Sequence, residues 1–174
     1  MTLYEFELTF AVPVAIDVDA LTERLAAAGC DDATLGVGLR GRVALLFARE
    51  AGSAAQAVLG AIRAVRRAVP EARLLEASPD LVGLTDVAEL LGVSRQNVRK
   101  LLFASAPAPP APVHGGRPTI WRLAKVLRWL RDEKAYRVPD DLLELAETTL
   151  QVNLAVGVAD TERAAQREIR AVLS

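Results

Sequence analysis

The segment from Leu84 to Leu102, LTDVAELLGVSRQNVRKLL, restricts the fold more than any other part of this 174-residue chain. Two apolar runs with helical spacing are separated by Gly92, and the residue four positions before that glycine is the small Ala88. Two helices that cross steeply need a side chain no larger than alanine where their backbones meet. They also need a turn residue that tolerates left-handed dihedral angles. The spacing therefore predicts two helices joined by a tight turn at Gly92.

Capping and periodicity define both helices of this segment. We expect Thr85 to cap the first helix and Ser94 to cap the second, which reaches Leu102. The inward positions carry aliphatic or small side chains, namely Val87, Ala88, Leu91, Val93, Val98 and Leu101. This combination distinguishes a helix-turn-helix from a generic helical hairpin. The helical period then places a polar set on the outside of the second helix: Arg95, Gln96, Asn97, Arg99 and Lys100.

These polar side chains suit the major groove of duplex DNA. Arginine can donate two hydrogen bonds to guanine, and glutamine or asparagine can pair with adenine. Lysine, the hydroxyl group of Ser94 and the amino end of the second helix suit phosphate. The alternative is that they are ordinary solvated side chains on a tight helical hairpin.

The net charge of the chain, −1, conceals a separation of charge along it. Residues 1–80 contain 8 basic and 11 acidic residues, a net charge of −3. Residues 81–137 contain 10 and 4, a net of +6, and residues 138–174 contain 3 and 7, a net of −4. Because local potential decides whether a surface attracts phosphate, the middle third favours a nucleic-acid partner.

Residues 1–78 carry signals for the order strand, helix, strand, strand, helix, strand. A first strand buries alternate side chains, Tyr4, Phe6, Leu8 and Phe10. A first helix, capped by Asp17 or Asp19, turns one stripe inward: Val18, Leu21, Leu25 and Ala28. The runs ATLGVG and RVALLFA predict a hairpin, and ARLLEA predicts the last strand. Between them, Ser53 and Gln56 have the spacing of a capping box for the second helix.

That order resembles the ferredoxin-like split βαβ unit, in which two helices cover one face of a four-stranded antiparallel sheet. We place the domain boundary in the polar junction ASPDLVG that follows. Ferredoxin-like modules host many activities, so this part assigns no function by itself. Binding of a protein partner and sensing of a ligand are both open for it, although the sequence shows no convergent polar pocket.

From Leu84 to about Lys134 the chain resembles the small winged helix-turn-helix proteins of the MerR and excisionase type. The resemblance rests on LTDVAELLGVSRQNVRKLL, a proline-rich connection and GGRPTIWRLAKVLRWLRD. It implies a short β-wing and a further helix, packed through Ile120, Trp121, Val126, Trp129 and Leu130. The connection ASAPAPPAPVHGGRP is longer and richer in proline than a simple wing, so we expect mostly extended loop there.

Further cations lie in and after this connection. The glycines beside Arg117 permit a tight turn that approaches phosphate or a minor groove, and Arg122 is a second phosphate candidate. His114, the single histidine, is expected to be an exposed loop residue. The next helix is expected to turn four cations away from its tryptophan face: Lys125, Arg128, Arg131 and Lys134. For them, solvation and contact with the DNA backbone are equally open.

Residues 138–174 form an acidic and apolar tail. Pro139, Asp140 and Asp141 indicate a helix start, Gly157 is expected to interrupt the helix, and Asp160 or Thr161 to cap a last one. The inward stripe of the first tail helix is expected to be Leu142, Leu145, Thr149, Val152 and Val156. Because a twofold dimer reads two DNA half-sites, we expect a homodimer whose interface is this tail, either alone or together with the amino-terminal sheet.

Several other classes of protein find no support in the sequence. Cys30 is the single cysteine, which excludes an internal disulfide framework, and we interpret it as a small buried hydrophobe. No Ser-His-Asp arrangement, metal-ligand cluster or phosphate loop is present, so we expect no enzyme, cofactor or metal. No apolar run approaches the ~20 residues of a membrane span, and the start lacks a signal peptide. We therefore expect a cytoplasmic protein without a membrane partner.

The sequence as a whole predicts an α+β protein with three parts. These are a ferredoxin-like domain over 1–78, a winged helix-turn-helix domain over 81–137 and a helical tail over 138–174. The predicted function is sequence-specific binding of double-stranded DNA in transcription regulation. In that function, Arg95, Gln96, Arg99 and Lys100 read bases or phosphates, beside Asn97, while Ser94, Arg117 and Arg122 make positioning contacts. The alternative is a protein-interaction module, such as an antitoxin-like or excisionase-like architectural factor.

Overall fold

The computed structural model describes residues 1–104 and 106–173 and shows a mixed α+β protein. Its elements follow the order β1 (Thr2–Ala11), α1 (Val18–Ala27), β2 (Ala33–Val37), β3 (Arg42–Ala51), α2 (Ala54–Ala68), β4 (Arg73–Ser78), β5 (Leu81–Val82), α3 (Leu84–Leu91), α4 (Arg95–Ala104), β6 (Trp121–Arg122), α5 (Leu123–Lys134), α6 (Asp140–Ala159) and α7 (Arg163–Leu173). Among these helices, none combines the length and the apolar character needed to cross a membrane.

The first 78 residues form a four-stranded sheet with the order β2-β3-β1-β4, in which every neighbouring pair is antiparallel. Alternate residues of β1 are buried as predicted, and Phe6 pairs with Phe47 of β3, their ring centroids 5.2 Å apart. α1 and α2 pack on this face through Leu21, Leu25 and Val58. The predicted order of elements in this region is confirmed.

The helix caps of this region agree with the sequence in detail. The Asp17 carboxylate accepts from the amide of Asp19 at 2.9 Å, and the Ser53 hydroxyl accepts from the amide of Gln56 at 3.1 Å. Cys30 is buried as expected, and desolvation raises the pKa of its thiol. Val18 was expected on the buried face but is 40% exposed, because it is the first residue of α1 and lies at the end of the packed stripe.

Buried apolar side chains form two clusters, one on the four-stranded sheet and one among α3, α4 and α5, and α6 belongs to both. Leu145 packs in the first cluster, whereas Leu143 and Ala146 pack in the second. On the same helix the Glu144 carboxylate accepts from the Tyr4 hydroxyl at 2.6 Å, and this hydrogen bond raises the pKa of Tyr4. The first half of α6 is thus held inside its own chain.

An asparagine on α6 completes the hydrogen bonding at the edge of the sheet. The side chain of Asn153 accepts from the amide of Ala77 at 2.8 Å and donates to the carbonyl of Ala77 at 2.8 Å. It therefore takes the place that a neighbouring strand would occupy beside β4, which protects the edge from pairing with another chain. The same amide nitrogen donates to Asp80 at 2.7 Å.

The polar junction ASPDLVG, between the first two parts, contains a buried residue with several polar contacts, Asp80. Asp80 is 0% exposed; its carboxylate is paired with Arg122, and its carbonyl accepts from the amide of Leu123 at 2.7 Å. The next two residues, Leu81–Val82, are strand β5 and pair with β6. The sequence did not indicate this burial, because the partners of Asp80 come from segments far away in sequence.

The tail differs from expectation at Gly157, which does not interrupt α6. A single glycine in a helix interior costs only about 1 kcal/mol relative to alanine, so the flanking residues carry the helix on to Ala159. After it comes α7, and of the residues that the structure describes in this helix, none is buried. Its apolar members, Ile169, Val172 and Leu173, are between 50% and 82% exposed.

Candidate nucleic-acid interface

α3 and α4 form the tight helix pair that the sequence predicts. Gly92 ends α3 in the left-handed conformation, with φ of 64°, and its amide donates to the carbonyl of Glu89 at 3.2 Å. The following amide, of Val93, donates to the carbonyl of Ala88 at 2.9 Å. These bonds satisfy the last carbonyls of α3 while the chain reverses, a role for which glycine is the favoured residue. The predicted turn at Gly92 is confirmed.

The start of α3 lies earlier than expected, and Thr85 does not cap it. Gly83 is the N-cap residue, and its amide donates to the carboxylate of Asp86 at 2.7 Å. An acidic side chain three residues after the N-cap can accept a hydrogen bond from the N-cap amide, which here is the amide of Gly83. Thr85 therefore lies exposed within the first turn.

α4 begins and packs as its sequence indicates. The hydroxyl of Ser94 accepts from the amide of Asn97 at 3.2 Å, so the predicted cap is confirmed. Val98 is buried against Val87 and Ala88 of α3, in the cluster that also contains Leu91, Val93 and Leu101 as half-buried members. Leu102, which we did not assign to the inside, is buried too, because it lies four residues after Val98 on the same face.

The outward face of α4 is as polar and as accessible as predicted. The five side chains proposed to read DNA are all exposed: Arg95, Gln96, Asn97, Arg99 and Lys100. In the part of the chain that the structure describes, the three cations among them take part in no ion pair. Their charge is therefore not neutralised by the protein itself.

The connection between α4 and β6 is a narrow loop closed at its base. The amides of Val113 and His114 donate to the carbonyl of Ile120 at 2.9 and 3.3 Å, and the amide of Ile120 donates back to His114 at 3.0 Å. At the exposed tip lies Arg117. Over 106–119 the chain is otherwise irregular, as the prolines predicted. The two-stranded sheet beside it pairs β6 with β5, which precedes α3.

The loop tip and one face of α4 enclose a cleft of about 680 Å³. Into it converge Arg95 and Arg99 from α4 and Arg117 from the loop, together with Phe103 and Pro118. We call this feature the arginine cleft. One carboxylate, that of Asp86, also lines it, and that carboxylate accepts the hydrogen bond from Gly83. Three arginine side chains that line one open cleft form a site suited to an anion.

Phe103 is a member of the cleft that sequence reasoning missed. It is 58% exposed, and its ring meets that of the buried Trp121 edge to face at a centroid distance of 5.6 Å. The guanidinium carbon of Arg99 lies over the ring of Phe103, 5.8 Å from its centroid. The spacing of four residues between Arg99 and Phe103, which places two side chains on one helix face, was the available signal.

Not every predicted contact residue lies at this surface. Gln96, Asn97 and Lys100 are exposed on α4 outside the lining of the cleft. The prediction that Arg122 contacts phosphate is wrong. Its guanidinium pairs with the buried carboxylate of Asp80, and its side chain is only 19% exposed. An arginine that neutralises a buried carboxylate is not free to hold phosphate, so we withdraw Arg122 from the contact set.

The cations of α5 are mostly engaged within the protein. Arg128 donates to Glu147 of α6 at 2.5 and 3.2 Å, and Arg131 pairs with Asp132. The ammonium group of Lys134 lies 5.2 Å from the centroid of Trp129, so our expectation that it points away from the tryptophan face is wrong. A lysine can lay its apolar stem along a ring and keep its charge at the ring face.

Two further findings concern this surface and the chain as a whole. No three His, Cys, Asp or Glu side chains of residues 1–104 and 106–173 lie close enough together to hold a metal ion. Comparison with known proteins gives no match to a family model, to a curated protein or to a solved structure. The arginine cleft and the outward face of α4 are therefore the features of this chain that point to a function.

Proposed function

We propose that this protein binds double-stranded DNA in a sequence-specific manner and regulates transcription. In this proposal α4 enters the major groove, where Arg95, Gln96, Asn97 and Lys100 face the bases, and the loop carrying Arg117 lies against the flanking backbone. Ser94 and the amino end of α4 hold a phosphate. No catalytic role is assigned to any residue.

The observation that carries the proposal is the convergence of Arg95, Arg99 and Arg117 at one exposed cleft without ion-pair partners among the described residues. They belong to the segment whose net charge is +6 in a chain whose net charge is −1. Unpaired cations clustered on one helix face and a neighbouring loop are the electrostatic footprint of a nucleic-acid-binding protein.

The finer architecture is part of the same proposal. The strand order β2-β3-β1-β4 with two helices on one face supports a ferredoxin-like module over 1–78. The helix pair, the closed loop and the strand β6 before α5 support a winged helix-turn-helix module of the MerR or excisionase type over 81–137. In this arrangement the first module and α6 hold the second in place.

The proposal is tested by selecting duplexes from a random-sequence pool with the wild-type protein and measuring affinity in competition with bulk DNA. We expect a preferred sequence. Arg95→Ala combined with Arg99→Ala is expected to lower affinity for it by roughly 100-fold, since a guanine-bound arginine contributes about 1–3 kcal/mol of discrimination. The salt dependence of binding should also become shallower.

The matched control is Arg63→Ala combined with Arg66→Ala, two exposed arginines of α2 that change the net charge by the same amount. This control should retain nearly wild-type affinity, and the helix content of both double variants should match that of the wild type. If the wild type selects no sequence, or if both double variants bind alike, the proposed DNA-binding surface is wrong.

We further propose that the protein is a homodimer held by the end of the tail. The first half of α6 packs inside its own chain, whereas Leu154 and Val158 at its end are 47% and 44% exposed. They precede α7, in which no described residue is buried. Sedimentation at micromolar concentration should give twice the mass of one chain, and Ile169→Glu should give the single-chain mass. A single-chain mass for the wild type would refute the dimer.

The second candidate function, a protein-interaction module, is favoured by one observation on the sheet. The face opposite α1 and α2 exposes Leu3 and Leu46, each 53% accessible, on its two central strands. A partner protein for residues 1–78 is compatible with DNA binding by the middle part, and it becomes the leading function only if the selection experiment yields no preferred duplex.

A further inference from the structure

The arginine cleft differs from the rest of the α4 surface in combining cations with an exposed aromatic ring. Arg95, Arg99 and Phe103 follow one another at intervals of four residues, so they form a single stripe along α4 that faces the loop carrying Arg117. Gln96, Asn97 and Lys100 lie beside this stripe and outside the cleft. The helix therefore presents two surfaces of different chemistry.

The chemistry of the cleft matches one component of DNA, the sugar-phosphate backbone. Arginine side chains line both walls of the cleft, and arginine binds phosphate through two parallel hydrogen bonds. Phe103 and Pro118 supply apolar surface in the same cleft, which suits a deoxyribose ring. A base edge in the major groove offers no such combination of an anion beside an apolar ring.

Phe103 is held in a way that fixes Arg99. Its ring is supported edge to face by Trp121, which is 2% exposed and cannot move without disturbing the second apolar cluster. The guanidinium group of Arg99 lies over the same ring, with 5.8 Å between its carbon and the centroid. A flexible arginine held over an aromatic face loses less conformational freedom on binding, because its position is already restricted.

We propose that the arginine cleft clamps the DNA backbone, with Arg99 and Arg117 on the same stretch of phosphates, and that Phe103 is the positioning residue that holds Arg99 in place. This inference rests on the proposed DNA-binding function and deepens it. It divides the surface of α4 into a backbone-binding stripe, Arg99 with Phe103, and a base-reading face, Gln96 with Asn97 and Lys100. Arg95, at the amino end of the stripe, reads a base together with that face.

The first test compares salt dependence with base preference for the selected duplex and a scrambled one. Each phosphate contact contributes about 0.9 to the slope of log affinity against log salt concentration. Arg99→Ala and Arg117→Ala should each reduce that slope by about 0.9 and weaken both duplexes alike. Gln96→Ala should instead reduce the preference for the selected duplex and leave the slope unchanged.

The second test is a double-mutant cycle between Phe103 and Arg99. Phe103→Leu keeps an apolar side chain but removes the aromatic face. In the wild-type background this substitution should therefore lower both the salt slope and the affinity for DNA. The same substitution should have no further effect in the Arg99→Ala background. Phe103→Tyr keeps the ring and should restore the wild-type slope, which a purely structural role of Phe103 would not require.

The outcomes separate this inference from the proposed function. A wild type without duplex preference refutes the proposed function. If the wild type selects a duplex, the Arg99→Ala variant tests the clamp. A change in base preference at an unchanged salt slope would refute it. An equal loss from Phe103→Leu in both backgrounds refutes the positioning role, and thermal unfolding of each variant checks that the fold is retained.

Discussion

Replacing Asp80 with alanine is expected to lower the free energy of unfolding by roughly 3–5 kcal/mol, since removing one partner of a buried ion pair leaves the other charge without compensation. The carboxylate is completely buried, and it receives Arg122 from β6 and Asn153 from α6. Its loss would leave the 19% exposed guanidinium of Arg122 beside an empty space. Denaturant unfolding followed by circular dichroism measures this change.

Two variants make the Asp80 prediction specific. Asp160→Ala removes a carboxylate that also pairs with an arginine, Arg73, but both side chains are about 60% exposed, so the cost should stay below about 1 kcal/mol. Asp80→Asn keeps the shape and one acceptor, and should cost less than alanine. If Asp80→Ala were no more destabilising than Asp160→Ala, the contacts of Asp80 with Arg122 and Asn153 would not stabilise the fold as proposed.

Local patterns in the sequence were sufficient to predict the features that depend on residues close together in the chain. The alternation of β1, the cap at Ser53, the turn at Gly92 and the cap at Ser94 all depend on residues within about two helical turns of one another in sequence. The exposure of the α4 cations follows from the same helical period that buries Val98. For such features, pattern and local hydrogen bonding decide the outcome.

Long-range polar contacts were not accessible in this way. Asp80 lies 42 residues from Arg122 and 73 residues from Asn153, and nothing in the spacing of the sequence connects them. The sequence alone therefore predicts Arg122 as a phosphate contact and ASPDLVG as a polar junction with the domain boundary. The bond from Tyr4 to Glu144, 140 residues apart, was missed for the same reason. In the arginine cleft, Arg117 could be nominated as a phosphate contact, but its convergence with Arg95 and Arg99 required the fold.

Trp121→Ala is the second substitution expected to have a large effect, with a loss of roughly 3–5 kcal/mol in the free energy of unfolding. The side chain is 2% exposed, packs in the second apolar cluster and supports the ring of Phe103. Alanine would leave a cavity that the short strands β5 and β6 are poorly able to fill. Val14→Ala, at a position that is 62% exposed and outside the tail, is the control and should change stability by less than about 0.5 kcal/mol.

The manner of unfolding in Trp121→Ala tests the role of α6. Because α6 places Leu145 in the first cluster and Leu143 and Ala146 in the second, loss of the second cluster should weaken the first as well. We expect a single transition, with coincident curves from Trp129 fluorescence and circular dichroism, and reduced hydrogen-exchange protection of the amides of β1 and β3. Wild-type protection of those strands, together with an unfolded α5, would mean that the two clusters fold independently and that α6 does not couple them.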